Sequence, residues 1–451
     1  MAAAAPRRST PTNLRAPVSE LEKAAERRKG FGQRALDSAL LRAGARLIRA
    51  LLIRYVRAKP RESGGASLPR VTILTVSGWG KGGTTRAMLN LAGYLEGRHE
   101  VEIIGVWRTR DEPFFDHPDG VRVHAMDDLR PGHRARGLRG FLNRVPSVLV
   151  HPADHWATSF SLLTDIRLVR ALRRRTGILV TTRPSLNLIA AILRPPGLVL
   201  VGCEQMHLQA HDPQLRQEMR RLYPLLDRFV VLTDGALRDY DAHLDGGLEL
   251  VRIPNSAREL GAPADLDSKL VLAAGRLNVQ KGFDWLIDAW ARVEPDHADW
   301  ALRICGEGEE RAALEVQVAR HGLQRVELPG ACSDMAREMS RASVFTLSSR
   351  FEGFPLVLCE AMSKGMAPVS FDCPTGPAEM IENGRNGLIV PLGDVEAFAA
   401  ALARMIEDEE LRRRCGAAAA EAGRNFKMDV IGPMWDELFR ELPAAPRGAG
   451  T

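Results

Sequence analysis

Twice along this chain, short apolar runs alternate with longer amphipathic ones, and that repeated alternation restricts the fold more than any other feature of the sequence. The first series opens with VTILTVS, the loop GWGKGG, the stretch TTRAMLNLAGYLEG and the run EVEIIGVW. Short runs rich in β-branched residues read as strands, and apolar positions spaced by three and four read as helices, so the order is βαβ. Further strands are predicted at Ile178–Thr182, Leu198–Gly202 and Phe229–Thr233, up to RIPNSA, and the polar RELGAPADLDS then reads as a linker. The second series runs through LVLAAGRL, WALRICGEG, RVELPG, SVFTLSS, MAPVSFD and GLIVP. The fold class expected is α/β, with two Rossmann-like parallel sheets facing a cleft. The expected units are 70–258 and 268–425, preceded by an extension over 1–69 and followed by a C-terminal helix over 426–442 placed to pack back on the first unit. Ligands of open parallel sheets bind beyond the carboxyl ends of the strands, so the loops there hold the candidate site.

Length and charge support this division. A chain of 451 residues exceeds one comfortable core. Its net charge of +6 is unevenly spread. Residues 1–61 carry fifteen Lys or Arg against four acidic residues, and the remainder carries 47 basic against 52 acidic. A mildly acidic body argues against nucleic acid as a partner. The opening MAAAAPRRSTPTNLRAPVSE lacks the apolar centre of a secretory signal and reads as a disordered tail. From Phe31 to Val56, Leu36, Leu40, Leu47 and Leu51 recur at helical spacing with Arg42, Arg46, Arg49 and Arg54 between them. Such a basic amphipathic helix (residues 31–56) either lies on an anionic membrane surface or packs on the body. With no apolar run of the ~20 residues a span needs, the location expected is cytoplasmic, peripheral on the inner face of the plasma membrane. Cys203, Cys305, Cys332, Cys359, Cys373 and Cys415 occur singly, without CxxC spacing, and read as buried, reduced thiols.

The loop Gly78-Trp79-Gly80-Lys81-Gly82-Gly83 formally matches GxGxxG and opens a helix whose free amides suit a phosphate. A dinucleotide site also needs an acid at the end of the next strand, where Arg108 stands. Thr84 and Thr85 occupy the positions at which a nucleoside-triphosphate loop needs Lys and Ser or Thr. The loop is therefore a phosphate cradle of another kind, or a tight turn. In the second series Arg276 ends the strand LVLAAGRL, and Lys281 precedes the helix DWLIDAWARV. A cation beside a helix N-terminus opposes the helix dipole unless an anion lies between them, so the pair suits a diphosphate; a surface salt bridge is the alternative. Glu352 follows the strand SVFTLSS, and Glu360 lies among Leu356, Val357, Leu358, Cys359 and Ala361 in the next helix. A buried carboxylate requires donors, which the paired hydroxyls of a ribose supply. Glu379, in CPTGPAEM, is a third acid or simply a helix-start residue.

From LVLAAGRL to GLIVP the chain resembles the donor domain of the retaining family 4 glycosyltransferases, of the GT-B fold. It carries AAGRLNVQKG, ICGEGEE, LPG, SSRFEGFPLVLCEAMSKGMAPVSFD and GPAEMIENGRNGLIVP in that order. The N-terminal half is similar more loosely, through the glycine loop and VVLTDGALRDY followed by RIPN. The resemblance implies that Arg276 and Lys281 bind the donor diphosphate, Glu360 the ribose and Glu352 the transferred sugar. The amides of Gly353 and Phe354, with Pro355 and Leu356 behind them, would assist, and Gly80, Gly82 and Gly83 would approach from the other domain. Family members often place His after Glu in the loop that here reads CEQMHLQAH; this chain has Gln205 there, and His207 is the candidate sugar contact, or else merely lines the cleft.

These roles imply a nucleoside-diphosphate sugar, UDP-linked by default, as donor and a glycan, glycolipid or cell-wall polymer as acceptor, with no cofactor. No metal is expected, since the only DLD, Asp265 to Asp267, falls in the linker. A nucleotide-sugar epimerase, a sugar phosphorylase and a nonenzymatic nucleotide-sugar-binding protein are the competing readings.

Overall fold

The computed structural model describes residues 39–58, 69–133 and 135–443. The tail, most of the linker before the first strand and residues 31–38 of the expected basic helix lie outside the described residues.

The first sheet contains β1 (Arg70–Thr75), β2 (Glu100–Arg108), β3 (Arg122–Asp128), β4 (Gly177–Thr181), β5 (Leu198–Cys203), β6 (Arg228–Val231) and β7 (Leu250–Arg252). Its order is β3-β2-β1-β4-β5-β6-β7, parallel throughout. The second contains β8 (Leu270–Ala274), β9 (Ala301–Cys305), β10 (Val326–Gly330), β11 (Val344–Leu347), β12 (Ala367–Asp372) and β13 (Leu388–Pro391), ordered β10-β9-β8-β11-β12-β13 and also parallel. Central strands such as β1, β5 and β11 are buried along almost their whole length because helices cover both faces. Chain order reverses between β1 and β4 in one sheet and between β8 and β11 in the other. The glycine loop, Arg276 and the Ser348–Glu352 loop therefore all sit at switch points, where a crevice opens beyond the strand ends.

Two strands escaped the sequence reading. The edge strand β3, RVHAMDD, is largely polar and only one of its residues is fully buried, while β7 has three residues. Neither is long or apolar enough to announce itself by period. Of the six cysteines, all carry free thiols, and Cys332 departs from the expectation in being only half-buried.

The helix Met428–Glu441 packs on the first domain, where Ile431, Trp435 and Leu438 join the cluster around Val71, Ile73 and Ile103. Tyr94 Oη donates to Asp436 at 2.6 Å across the same contact. The helix Ala39–Arg57 lies against the helices Leu162–Arg173 and Pro184–Leu193, with Val56 buried and Leu52 and Ile53 packed beside it. The Arg57 guanidinium donates to the carbonyls of Ile192 and Leu193 at 2.8 and 3.1 Å, meeting acceptors that the end of a helix leaves open. Its other face keeps Leu47 and Leu51 62% and 57% exposed. No described helix is long and apolar enough to cross a membrane.

Candidate active site

Two loops of the second domain are stitched together at the strand ends. Asn278 Oδ1 accepts from the Lys281 amide at 3.3 Å, closing a single 3-10 turn, Val279–Lys281. Ser348 Oγ donates to the Lys281 carbonyl at 2.9 Å, and Gln280 Nε2 to that of Phe351 at 3.1 Å. Between the loops stands Gly282, at φ +61°, where a Cβ would lie 2.1 Å from the Ser348 carbonyl oxygen. A side chain is excluded there both by the left-handed backbone and by contact.

This stitching brings Lys281 Nζ to 2.6 Å from Glu352 Oε1. Glu352 is buried, and Ser349 Oγ donates to the same oxygen at 2.5 Å. The salt bridge that the sequence offered as the alternative for Lys281 is made to a buried carboxylate and not at the open surface, because neighbouring strand ends bring the two charges together. Arg276, by contrast, is exposed, and it makes no ion pair or side-chain hydrogen bond among the described residues. The two expected phosphate ligands thus differ: one is already paired and one is open. The amides of Gly353 and Phe354 likewise find no acceptor among the described residues.

Glu360 sits in the helix Leu356–Ser363 and is half-buried rather than fully enclosed. Burial pushes its carboxyl above the usual range, against the pull of Arg86 and Arg258. No hydrogen-bond donor reaches it among the described residues, so none of them supplies the donors that a buried carboxylate requires. Arg86 comes from the first domain, in the helix Gly83–Leu95, and stacks on Phe115 with its guanidinium 3.6 Å from the ring centre. Its own pKa is lowered by burial and by Arg258. Neither arginine was singled out from the sequence. Arg86 had a signal, being a cation in the first turn of a helix that opens on glycines, the same argument that found Lys281.

The glycine loop reaches the same region. A Cβ on Gly83 would stand 3.5 Å from Leu356 Cδ1, at the start of the Glu360 helix, and one on Gly82 would meet nothing within 4 Å. Thr85 Oγ1 turns back to the Ser77 carbonyl at 3.1 Å, leaving Gly80 tight against it. Pro355 and Leu356 are buried at this seam.

The two domains touch at Gly353, where a Cβ would lie 1.8 Å from the Gln205 carbonyl oxygen. Backbone meets backbone there, so only glycine fits. Beside it, the His207 ring stands edge-on to Phe351 at 5.6 Å between centroids, buried, with Nε2 unpartnered. Burial and the neighbouring His211 lower the His207 pKa, which favours the neutral imidazole. Gln205 is turned away from the site, its Oε1 accepting from Asn255 Nδ2 at 2.9 Å. Both ends of this loop are tied to one buried carboxylate: Glu204 accepts from the Gln205 amide at 2.9 Å and faces His211 Nε2 at 3.5 Å. Glu379 lies apart from this group; its carboxylate caps a helix of the other domain.

Comparisons with known proteins bear on the family and the fold. Residues 261–422 match the model of the family described as "Glycosyl transferases group 1". An exopolysaccharide phosphotransferase of Streptomyces coelicolor is 36% identical over 392 residues, which are 83% of this chain but 41% of that protein, so the chain spans less than half of that relative's length. The amylovoran biosynthesis glycosyltransferase AmsD of Erwinia amylovora is 28% identical over 62% of this chain and 82% of its own. Among solved structures, S. aureus TarM in complex with fondaparinux, α-GlcNAc-glycerol and UDP superposes with a TM-score of 0.68 at 13% identity, covering 83% of this chain and all of that one. That likeness establishes the GT-B fold.

Proposed function

From the match of residues 261–422 to the group 1 glycosyl transferases, we propose a glycosyltransferase that moves a hexose with retention, and without a metal, from a UDP-linked donor to a glycan, glycolipid or cell-wall polymer. The observation that carries this reading is the unequal cation pair: Lys281 bonded to the buried Glu352, with Arg276 open beside it at a sheet switch point.

A sugar diphosphate already contains its leaving group, so the protein's work is alignment and stabilisation of the charge that develops on the departing oxygens. Arg276 meets the diphosphate, and the open amides of Gly353 and Phe354 meet the transferred sugar beside Glu352. Lys281 shares its charge between Glu352 and the leaving phosphate. Glu360, lacking a donor of its own, takes the ribose hydroxyls. His207, unpartnered at Nε2, faces the sugar from the other domain. In this reading the cations above do the work a metal would do.

The acceptor class follows the relatives, one named as an exopolysaccharide phosphotransferase and the other for amylovoran biosynthesis. The nucleotide follows TarM, which was solved with UDP. Where the acceptor is a glycolipid, the exposed Leu47 and Leu51 ridge and its arginines rest on an anionic cytoplasmic leaflet.

The test is product analysis with UDP-hexoses and oligosaccharide or lipid-linked acceptors. Release of UDP with formation of an α-glycosidic bond, unchanged by EDTA, supports the reading. Release of UMP with transfer of a sugar phosphate would instead place the chain with the phosphotransferase chemistry named for the Streptomyces relative, and conversion of the donor without an acceptor would mark an epimerase.

A further inference from the structure

We infer that Glu379 is a positioning residue that latches the two domains shut and, through its loop, fixes the backbone of Glu352. The second half of this inference rests on the donor-site reading of Glu352; the first half does not.

The helix Asp234–Leu244 belongs to the first domain and opens towards the second. A helix leaves its first amides without intrahelical acceptors. Thr233 Oγ1 accepts from the Ala236 amide at 3.1 Å, and the Thr233 carbonyl accepts from that of Leu237 at 2.9 Å. The first two amides have no acceptor in their own domain; the Asp234 carboxylate is drawn off to Arg252 at 2.9 Å. They donate instead across the cleft, Asp234 N to Glu379 Oε2 and Gly235 N to Glu379 Oε1, both at 2.7 Å. A carboxylate on two amides at the positive end of a helix is a directed, charge-assisted contact. Glu379 is exposed, so water replaces it when the domains part, and the contact is reversible.

The loop that carries Glu379 is also bound to the site. Thr375 Oγ1 donates to the Glu352 carbonyl at 2.6 Å, and the Glu352 amide donates to the Pro374 carbonyl at 3.2 Å. Thr375 holds φ +55°, a region costly for a β-branched residue, which persists only where the surroundings enforce it. Those surroundings include the latch: a Cβ on Gly235 would stand 3.3 Å from Glu379 Oε1 and 3.8 Å from the Thr375 methyl. Closure of the domains and the placement of Glu352 therefore share one short loop.

Hydrogen exchange and kinetics on the full chain test this with Glu379→Ala, Glu379→Gln and Glu379→Asp. In the wild type, the amides of Asp234 and Gly235 are protected; in Glu379→Ala that protection falls about tenfold, as for loss of a charge-assisted hydrogen bond, and Glu379→Gln is intermediate. The same change lowers kcat about tenfold while the Kd for UDP, held within the second domain, stays within about twofold, and the thermal midpoint is unchanged. Glu379→Asp, one methylene shorter, recovers part of both effects. Unprotected amides in the wild type, or exchange unaltered in Glu379→Ala, would overturn the latch, whatever reaction the protein catalyses. Altered exchange with wild-type kcat would overturn the link to Glu352 alone. Absence of UDP binding and of transfer in the wild type would count against the donor-site reading and leave the exchange result to decide the latch.

Discussion

Lys281 Nζ lies 2.6 Å from Glu352 Oε1, although the two residues are 71 positions apart in the chain. The Glu352 side chain is 6% exposed and that of Lys281 18%. Arg276 has no such bond among the described residues.

This contrast separates the two cations by experiment. Lys281→Ala leaves a buried carboxylate without its counter-ion and is expected to cost about 3 kcal/mol of stability, whereas Arg276→Ala costs little. Both lower turnover by about 10²–10³, as removal of a charge-stabilising donor does. Denaturant unfolding beside steady-state rates checks the pattern. Near-wild-type turnover in both variants would remove the phosphate assignment.

Glu352→Gln and Glu360→Gln should fail differently. If Glu360 holds the ribose, its variant weakens UDP and intact donor alike. If Glu352 meets the transferred sugar, its variant keeps UDP affinity and loses turnover, because its contacts matter as charge develops. Calorimetry with UDP decides, and equal loss of nucleotide affinity in both would show the pair misassigned.

Glu360 also has a pH signature. Burial raises its folded pKa above the unfolded value, so the folded state binds more protons and stability falls as pH rises from the unfolded to the folded pKa. Glu360→Gln removes this dependence. The variant should gain stability on the wild type above that window and lose the advantage below it. A constant difference between pH 4 and pH 9, measured by urea unfolding, would contradict the assignment.

His211 shows linkage of the same sign from a different cause. Burial opposes its charged form, but Glu204 beside it leaves the folded pKa above the ordinary value. The pair's contribution is therefore fully present below the unfolded pKa, near ~6.5, and is lost as pH rises through the folded one. His211→Gln should destabilise the protein most in the acidic part of that window, and by a shrinking amount above it. Unfolding of both proteins from pH 5 to pH 9 provides the check.

The membrane proposal is best tested on the exposed face of the helix Ala39–Arg57 and not by truncation. Deleting everything before Gly64 would uncover the surface that Val56, Leu52 and Ile53 cover. Leu47→Glu with Leu51→Glu alters only the exposed face. The double variant should lose flotation with anionic vesicles while keeping turnover on a water-soluble acceptor. Equal flotation of variant and wild type would eliminate this surface.

The sequence by itself determined the two parallel sheets and which residues stand at their switch points. Both follow from local period: buried strands read as apolar runs, and Arg276, Glu352 and the glycine loop follow directly on such runs. Strand β3 was lost for the same reason, since a polar edge strand has no such period. Partners were a different matter. That Lys281 bonds to Glu352, that Glu360 feels the charges of Arg86 and Arg258 without a hydrogen bond to either, that His207 abuts Phe351, and that Glu379 caps a helix of the other domain depend on how distant segments close on one another. Only the tertiary structure decided these. A side chain's electrostatic partner is fixed by the few ångströms around it, and along the chain those neighbours lie from 71 to 274 residues away.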